Sequence, residues 1–271
     1  MGINLENDID KVLKDIKIFV FDNILTQFPF LKKDSSIVVS GSVATECYDK
    51  DSDIDIHVIR SENLDTILLN RLKDYKKILR ESGSNIELRF ASTYEKLEDN
   101  LGWNTDYILG EINNYLIIFD YNNRLTELVS KFNWYPSEIY EEKIKWLLSE
   151  MLIIIQREIN SATIRNQGYY LRVLKVKYVK YALTILRLLN KKYPVYDKKS
   201  YETTLKLPTV SKDLKLAINE ILSSKDKDKI PNVMLKVHLN LVNLVESETH
   251  FKSLKKEDLL NFSTKNKIRF E

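Results

Sequence analysis

Cysteine and histidine are scarce in this chain of 271 residues, which has one cysteine, Cys47, and three histidines. A single cysteine excludes an internal disulfide and any zinc site built from cysteines. The histidines stand far apart in the sequence, which argues against a histidine zinc site as well. We interpret Cys47 as a small space-filling side chain rather than as a redox or nucleophilic residue.

Long apolar runs are missing too. No stretch approaches the roughly 18 uncharged apolar residues that a membrane-spanning helix needs. The N-terminal segment, MGINLENDIDK, lacks the apolar core of a signal peptide. The composition, with 44% hydrophobic and 30% charged residues, is typical of a globular protein. We therefore expect a protein of the cytoplasm that does not act at a membrane.

Neither sign of charge dominates, since the formal net charge is only +3, but the charges are unevenly distributed. Residues 160–206 contain eleven Lys or Arg against two acids, whereas residues 87–111 contain six acids against two bases. Segments of opposite charge favour a polar cleft with one acidic and one basic wall.

The most informative segment is GSVATECYDKDSDID, over residues 41–55. The apolar runs on either side of it, residues 37–39 and 54–59, predict two strands joined through a turn. Gly41 permits backbone angles that are closed to other residues, and Ser42 offers a hydroxyl and a backbone N–H group to a phosphate oxygen. The start of this segment therefore predicts a small anion-binding turn.

Two aspartates follow at the start of the second predicted strand. Residues two apart in a strand point to the same face, so Asp53 and Asp55 should lie side by side. Such a pair of hard carboxylates suits Mg²⁺, which keeps other positions for water and substrate phosphates. A phosphate-binding turn beside a metal site is what in-line attack on a nucleoside triphosphate requires. His57 shares this face, either in contact with the site or without a catalytic role.

These residues resemble the signature of the nucleotidyltransferases of the DNA polymerase β superfamily, which is Gly-Ser, a gap of about ten residues and Asp-x-Asp. Ten residues separate Ser42 from Asp53. The resemblance implies an enzyme that uses ATP or another NTP, with Gly41 and Ser42 at the β- and γ-phosphates. It also implies that Asp53 and Asp55 hold Mg²⁺, as two ions.

Members of this superfamily carry a third carboxylate on the strand after the next helix. Here the spacing predicts a helix over residues 62–81, which Gly83 ends, and a half-buried strand over residues 86–90. Glu87 lies on the polar face of that strand, so the resemblance makes it the third metal ligand or the general base. A solvated strand glutamate is the alternative, and Asp106 is the reserve candidate.

Beyond the break at residues 133–137, NWYPS, helical patterns replace strand alternation. We predict an α/β (α+β) nucleotidyltransferase domain with a small mixed sheet over residues 1–135 and an all-α helical bundle over residues 136–271. The active site is expected between them. The remaining predicted elements are an opening helix over 5–31, a strand over 115–119, a short helix over 125–132, and helices over 138–160, 169–191, 212–223 and 231–246.

The helix predicted over residues 169–191 is apolar around most of its circumference, but four polar residues fall in one narrow seam: Lys177, Lys180, Thr184 and Arg187. Buried cations need anionic partners, so the triphosphate is a candidate partner for Lys177 and Lys180. In the alternative interpretation these side chains reach solvent or pair with acids of a neighbouring helix.

A second, weaker resemblance concerns residues 189–198, LNKKYPVYDK. They are similar to a segment of small-molecule nucleotidyltransferases with a helical C-terminal domain, among them the aminoglycoside and lincosamide resistance enzymes. The resemblance implies that Lys198 reaches the nucleotide phosphates, although a plain helix-ending turn explains the segment equally well. It also implies transfer of a nucleoside monophosphate, AMP in the first instance, to a hydroxyl of a small molecule.

The charge pattern leaves the acceptor open. The acidic residues 87–111, with Trp103 for stacking, suit a cationic small molecule, unless Trp103 belongs to the core. The basic residues 160–206 favour RNA, such as tRNA, and protein acceptors occur in toxin–antitoxin relatives. A non-catalytic nucleotide-binding module is a third possibility, because Thr45 and Glu46 stand where many relatives have Arg and Gly. Oligomeric state is not indicated by the sequence.

Overall fold

The computed structural model describes residues 2–61, 66–90, 92–103, 105–194, 197–247 and 259. It divides into two compact units, Met1–Asn133 and Trp134–Glu271, which we call the N-terminal unit and the C-terminal unit. None of the helices in the described part of the chain combines the length and the apolar character needed to cross a membrane.

The N-terminal unit is built around a four-stranded mixed sheet with the strand order β3-β2-β1-β4. Its strands are β1 (Ser35–Ser40), β2 (Ile54–Arg60), β3 (Ile86–Arg89) and β4 (Leu116–Asp120). β1 is antiparallel to both β2 and β4, whereas β2 and β3 are parallel. This sheet confirms the predicted mixed α+β class of the N-terminal half.

The helices of this unit are α1 (Ile9–Phe19), α2 (Leu25–Gln27), α3 (Gly41–Ala44), α4 (Thr66–Glu81), α5 (Tyr94–Asn100), α6 (Asp106–Asn113) and α7 (Arg124–Ser130). The prediction of one opening helix over residues 5–31 was wrong in extent. A π-helical turn, Val20–Ile24, interrupts it, and a 3₁₀ turn, Pro29–Lys33, follows it. Pro29 disfavours the helical conformation at the preceding residue, and Phe28 accordingly has φ −125° and ψ 66°.

The parallel pairing of β2 and β3 requires a crossover, and α4 provides it. A left-handed glycine, Gly83 with φ +69°, ends α4. Ser84 N donates to Leu79 O at 3.1 Å, and Gly83 N donates to Arg80 O at 3.2 Å. This bonding satisfies the last carbonyls of the helix in a Schellman motif, so the predicted role of Gly83 is confirmed.

The core of the N-terminal unit lies between the sheet and its helices. β1 is buried along its whole length, because it is a central strand of the sheet. The core side chains from β1 and β2 pack in one cluster with side chains of α1 and α4: Val12, Ile16, Ile37, Val39, Ile54, Ile56 and Leu72. This packing fixes the two strands whose ends carry the signature residues.

The described residues of the C-terminal unit form helices and connecting turns: α8 (Ser137–Ile153), α9 (Ile159–Ile164), α10 (Gly168–Leu189), α11 (Asp197–Thr204), α12 (Lys212–Ser223) and α13 (Ile230–Ser247). A π-helical turn, Ile154–Glu158, joins α8 to α9. α10 contacts all the other helices of the unit, as its apolar circumference predicted. The helical class of this half is confirmed, whereas α11 was not predicted.

Polar groups on α10 anchor its neighbours. Lys175 is buried, and its Nζ donates to Leu222 O at 3.2 Å and to Ser224 O at 2.9 Å, where α12 ends. The Tyr178 hydroxyl donates to Met234 O at 2.6 Å on α13. Since buried polar groups are tolerated when they are hydrogen-bonded, these contacts fix α12 and α13 against α10.

Candidate active site

The turn after β1 packs directly on an aspartate of β2. Gly41 has φ +69°, and its neighbour Ser40 pairs with Asp55 in the antiparallel register of β1 and β2. A β-carbon at position 41 would lie 2.4 Å from Oδ2 of Asp55, which is closer than a side chain can approach. Glycine is therefore required here both for the backbone angle and for the close contact with the carboxylate.

The rest of the turn is held by local hydrogen bonds. Cys47 N donates to Ser42 O at 2.8 Å, and the Thr45 hydroxyl donates to Gly41 O at 3.0 Å. Glu46 is exposed and has φ +54°, in the left-handed region that favours glycine. This conformation would suit glycine better than glutamate at position 46.

The strand pairing brings the second signature aspartate beside the predicted third acid. Asp55 on β2 lies opposite Glu87 on β3. Arg89 contacts both: its Nη2 lies 2.9 Å from Asp55 Oδ1 and 3.3 Å from Glu87 Oε2. On the other side of Glu87, Lys76 Nζ lies 3.5 Å from Oε1. The strand alternation predicts Arg89 on the same polar face as Glu87, but it does not indicate that Arg89 bridges the two carboxylates.

The two carboxylates differ in environment. Burial raises the pKa of Asp55. The nearby Arg89 lowers it in part, and the negative charges of Glu87 and Asp53 raise it further. For Glu87 desolvation acts in the same direction, but Arg89 and Lys76 together outweigh it and lower the pKa. Asp55 Oδ1 is buried, and the Arg89 guanidinium at 2.9 Å is its cationic partner.

His57 contacts Ser40, the residue that precedes the turn. Its Nε2 lies 3.0 Å from the Ser40 hydroxyl, and its Nδ1 lies 4.0 Å from Glu111 Oε1. Burial and the nearby Arg89 lower the pKa of His57 to about 4, so the ring is neutral at neutral pH and its contact with Glu111 is not an ion pair. His57 therefore orients Ser40, the residue that leads into Gly41.

These residues suit a magnesium ion. Within the described ranges, no three His, Cys, Asp or Glu side chains converge on one point. Mg²⁺ needs only one or two protein carboxylates, because waters and substrate phosphates complete its shell. One cationic nitrogen already reaches both Asp55 and Glu87, so the two carboxylates lie close enough to share a cation. Asp53 is exposed just before β2, and its part in binding metal stays a prediction.

Two other predicted residues of the N-terminal unit have structural contacts. Trp103 is half-buried, and its ring centroid lies 5.1 Å from that of Phe132. Asp106 lies in the first turn of α6, where a carboxylate favours the helix N-terminus. Both contacts agree with structural roles, and the predicted stacking and metal-ligand roles stay predictions.

The predicted phosphate-binding lysines all lie in the C-terminal unit. Lys177 Nζ is 3.7 Å from Glu150 Oε2 on α8, which is the pairing that the alternative interpretation expected. Lys180 and Lys198 are exposed, on α10 and α11. Arg187, from the same seam, is buried and donates from Nε to Tyr193 O at 2.7 Å. Contact of Lys177, Lys180 and Lys198 with a nucleotide stays a prediction.

A buried polar network that the sequence did not indicate lies at the other end of β1. The Ser36 hydroxyl lies 2.6 Å from the Tyr94 hydroxyl and 2.5 Å from Asp120 Oδ1. Asp120 also accepts from the backbone N of Leu125 and Thr126, at the start of α7. Burial raises the pKa of Tyr94 to about 12. The network joins β1, β4, α5 and α7 and has a structural role.

Two family models match parts of this chain. Residues 22–121, which include β1, β2, β3, β4 and the turn at Gly41, match the family model described as "Nucleotidyltransferase domain". This match supports transfer of a nucleoside monophosphate in general terms. Residues 105–199 match a second family model, described as a domain of unknown function (DUF4037).

A search of solved structures finds a nucleotidyltransferase-like protein from Exiguobacterium sibiricum 255-15. The similarity covers 86% of this chain and 75% of that protein, with 14% sequence identity and a TM-score of 0.45. No curated protein matches the chain.

Proposed function

We propose that this protein is a Mg²⁺-dependent nucleotidyltransferase that moves a nucleoside monophosphate, AMP in the first instance, from an NTP to a hydroxyl of a small molecule and releases pyrophosphate. The observation that carries the proposal is the packing of the Gly41 turn on Asp55, with Glu87 opposite Asp55 on the next strand. The family match over residues 22–121 supports it.

The residues have distinct roles in this proposal. Gly41 and Ser42 bind the β- and γ-phosphates through the turn, while Asp53, Asp55 and Glu87 hold the metal. Bound Mg²⁺ supplies neutralisation of the phosphate charge that builds up during in-line displacement. Since its flanking cations lower the pKa of Glu87, this residue stays ionised and suits a ligand better than a general base. Asp106 stays the reserve third acid.

A small cationic acceptor, such as an aminoglycoside- or lincosamide-like compound, fits the acidic segment of residues 87–111. Six acids in a stretch of 25 residues attract ammonium groups and bring such an acceptor near the carboxylates of β2 and β3. Lys177, Lys180 and Lys198 are the proposed phosphate contacts from the C-terminal unit. The division of the chain into a catalytic domain, residues 1–135, and a helical domain, residues 136–271, belongs to the same proposal, as does the cytoplasmic location.

RNA is the second candidate acceptor. The side chain of Tyr169, on the first turn of α10, is 81% exposed, and the exposed Arg165 and Arg172 stand close to it in sequence. Exposed aromatic and arginine side chains are the combination that stacks on bases and binds phosphates of single-stranded RNA. A protein acceptor and a nucleotide-binding module without activity are the remaining outcomes of the test.

The test is a screen with Mg²⁺ and each α-labelled NTP against aminoglycosides, lincosamides, tRNA and the chain itself, with pyrophosphate release measured in parallel. We expect label on a small-molecule hydroxyl, and loss of this product in Asp53→Asn and Asp55→Asn. Labelling of tRNA that disappears at high salt would favour RNA as the acceptor. Tight binding of a non-hydrolysable NTP without any transfer would instead support a binding module and contradict the proposal.

A further inference from the structure

We propose that the Arg89 guanidinium serves as a counter-cation of the proposed metal site. It lies between Asp55 and Glu87 in the absence of the divalent ion, and it is displaced when the ion binds. The inference rests on the proposed function, because it presupposes a metal site at these two carboxylates. It assigns to Arg89 a role in setting metal affinity, separate from the roles of the acids.

The position of Arg89 follows from the strand register. Asp55 pairs with Glu87 across β2 and β3, and Arg89 stands two residues further along β3 on the same face. One nitrogen, Nη2, contacts both carboxylates, at 2.9 Å from Asp55 and 3.3 Å from Glu87. A group that bridges the two acids in this way fills the space that a shared metal ion needs, and two cations cannot share that space without strong repulsion.

Arg89 is held in a way that allows exchange. Its side chain is 50% exposed, so it can turn toward solvent while its backbone stays paired with His57 in the sheet. The hydrogen bond that Arg89 Nη2 donates to Glu87 Oε2 joins two largely exposed side chains, and exposed ion pairs are weak. Lys76 contacts the other oxygen of Glu87, Oε1, and can remain in place after the exchange.

The arrangement has a thermodynamic consequence. Without metal, Arg89 neutralises carboxylates that would otherwise repel each other, so the empty site is stabilised. When metal binds, displacing Arg89 costs free energy. The apparent affinity is the intrinsic affinity multiplied by the fraction of molecules in which Arg89 has already left the carboxylates. Removing the guanidinium should therefore tighten metal binding.

The experiment measures Mn²⁺ affinity by calorimetry and by electron paramagnetic resonance in the full chain, without nucleotide. We expect Arg89→Gln and Arg89→Ala to tighten Mn²⁺ binding about three- to tenfold and Arg89→Lys to have a smaller effect. Arg80→Ala, which removes an exposed arginine in the last turn of α4, is the matched control and should change affinity by less than about twofold. Thermal unfolding adds a second readout: Arg89→Gln should lower Tm without metal and increase the rise in Tm that Mn²⁺ causes.

The possible results separate the two proposals. Equal Mn²⁺ affinity in the wild type and Arg89→Gln, with binding abolished by Asp55→Asn, would overturn the role of Arg89 and leave the metal site intact. Weaker binding in Arg89→Gln would also overturn it, since Arg89 would then be a support for Asp55. No Mn²⁺ binding in any folded variant would overturn both. Tighter Mn²⁺ binding in Arg89→Gln, without nucleotidyl transfer to any acceptor by the wild type, would support the role of Arg89 as a counter-cation and contradict the proposed function.

Discussion

Gly41 packs so closely on Asp55 that a single added carbon at position 41 would lie 2.4 Å from the carboxylate oxygen Oδ2. This contact joins the two halves of the signature, which have thirteen residues between them in the chain, at one edge of the β1–β2 pair. It explains in physical terms why the turn needs glycine, and it places the turn directly beside the aspartate.

Gly41→Ala should therefore lower the free energy of unfolding by more than left-handed backbone strain alone would. Gly83→Ala is the matched control, since Gly83 also has φ +69° but has open space around its would-be β-carbon. We expect Gly83→Ala to cost about 1–2 kcal/mol of unfolding free energy, through left-handed strain only. Gly41→Ala should cost about 1–3 kcal/mol more, through the clash with Asp55. Urea unfolding measures both, and equal losses would show that the contact with Asp55 has no energetic consequence.

Glu46→Gly should stabilise the N-terminal unit by about 0.5–1 kcal/mol, because φ +54° is strained for glutamate and free for glycine. Thr45→Gly, at a residue with φ −99°, is the control and should destabilise the unit instead. Glu46→Gln separates charge from conformation: it should leave stability unchanged and strengthen NTP binding, which calorimetry can measure. A loss of stability in Glu46→Gly would contradict the assigned backbone strain.

His238 should make the C-terminal unit sensitive to acid. Burial lowers the pKa of His238 to about 4, and its Nδ1 has no hydrogen-bond partner. As pH falls below the unfolded value of about 6.5, the unfolded chain takes up the proton first, so stability is lost between about pH 6.5 and 4. We expect a loss of about 2 kcal/mol between pH 7.5 and 5, measured by urea unfolding. His238→Gln should remove its share of this pH dependence and leave the share of His57, and an unchanged profile would refute the assignment.

Tyr94→Phe tests whether the network at the far end of β1 is structural. Losing the hydroxyl leaves the buried Ser36 hydroxyl with only Asp120 as a partner, so we expect a loss of about 1–2 kcal/mol of unfolding free energy. Tyr121→Phe, at a partly exposed tyrosine, is the control and should have little effect. Mn²⁺ affinity should stay the same in both variants. A change in Mn²⁺ affinity in Tyr94→Phe alone would show that the network reaches the metal site.

The parts of the fold that sequence predicted have strong local signals. The turn between β1 and β2, the helix that Gly83 ends and the strand that carries Glu87 all follow from periodicity and glycine positions. The opening helix was predicted too long, because its apolar spacing continues through the π-helical turn at Val20–Ile24. A change from α- to π-helical bonding leaves little trace in hydrophobic spacing.

Contacts between residues that are distant in the chain could not be predicted from the residue pattern alone. The place of Glu87 beside Asp55 was expected from the resemblance alone, and the bridge that Arg89 makes between them depends on the parallel register of β2 and β3. The hydrogen bond between His57 and Ser40 depends in the same way on the register of β1 and β2. Single-sequence periodicity indicates which face a residue occupies but not which residue of another strand lies opposite it.

The most direct test of the account compares Mg²⁺-dependent pyrophosphate release from ATP, with an accepting hydroxyl compound, in Asp55→Asn and Asp51→Asn. Both changes remove one carboxylate from the same short segment, but Asp51 is exposed in the turn before β2, whereas Asp55 contacts Gly41 and Arg89. The account predicts a loss of ~100-fold or more in Asp55→Asn and near wild-type turnover in Asp51→Asn. Turnover retained in folded Asp55→Asn, or lost equally in both variants, would contradict it.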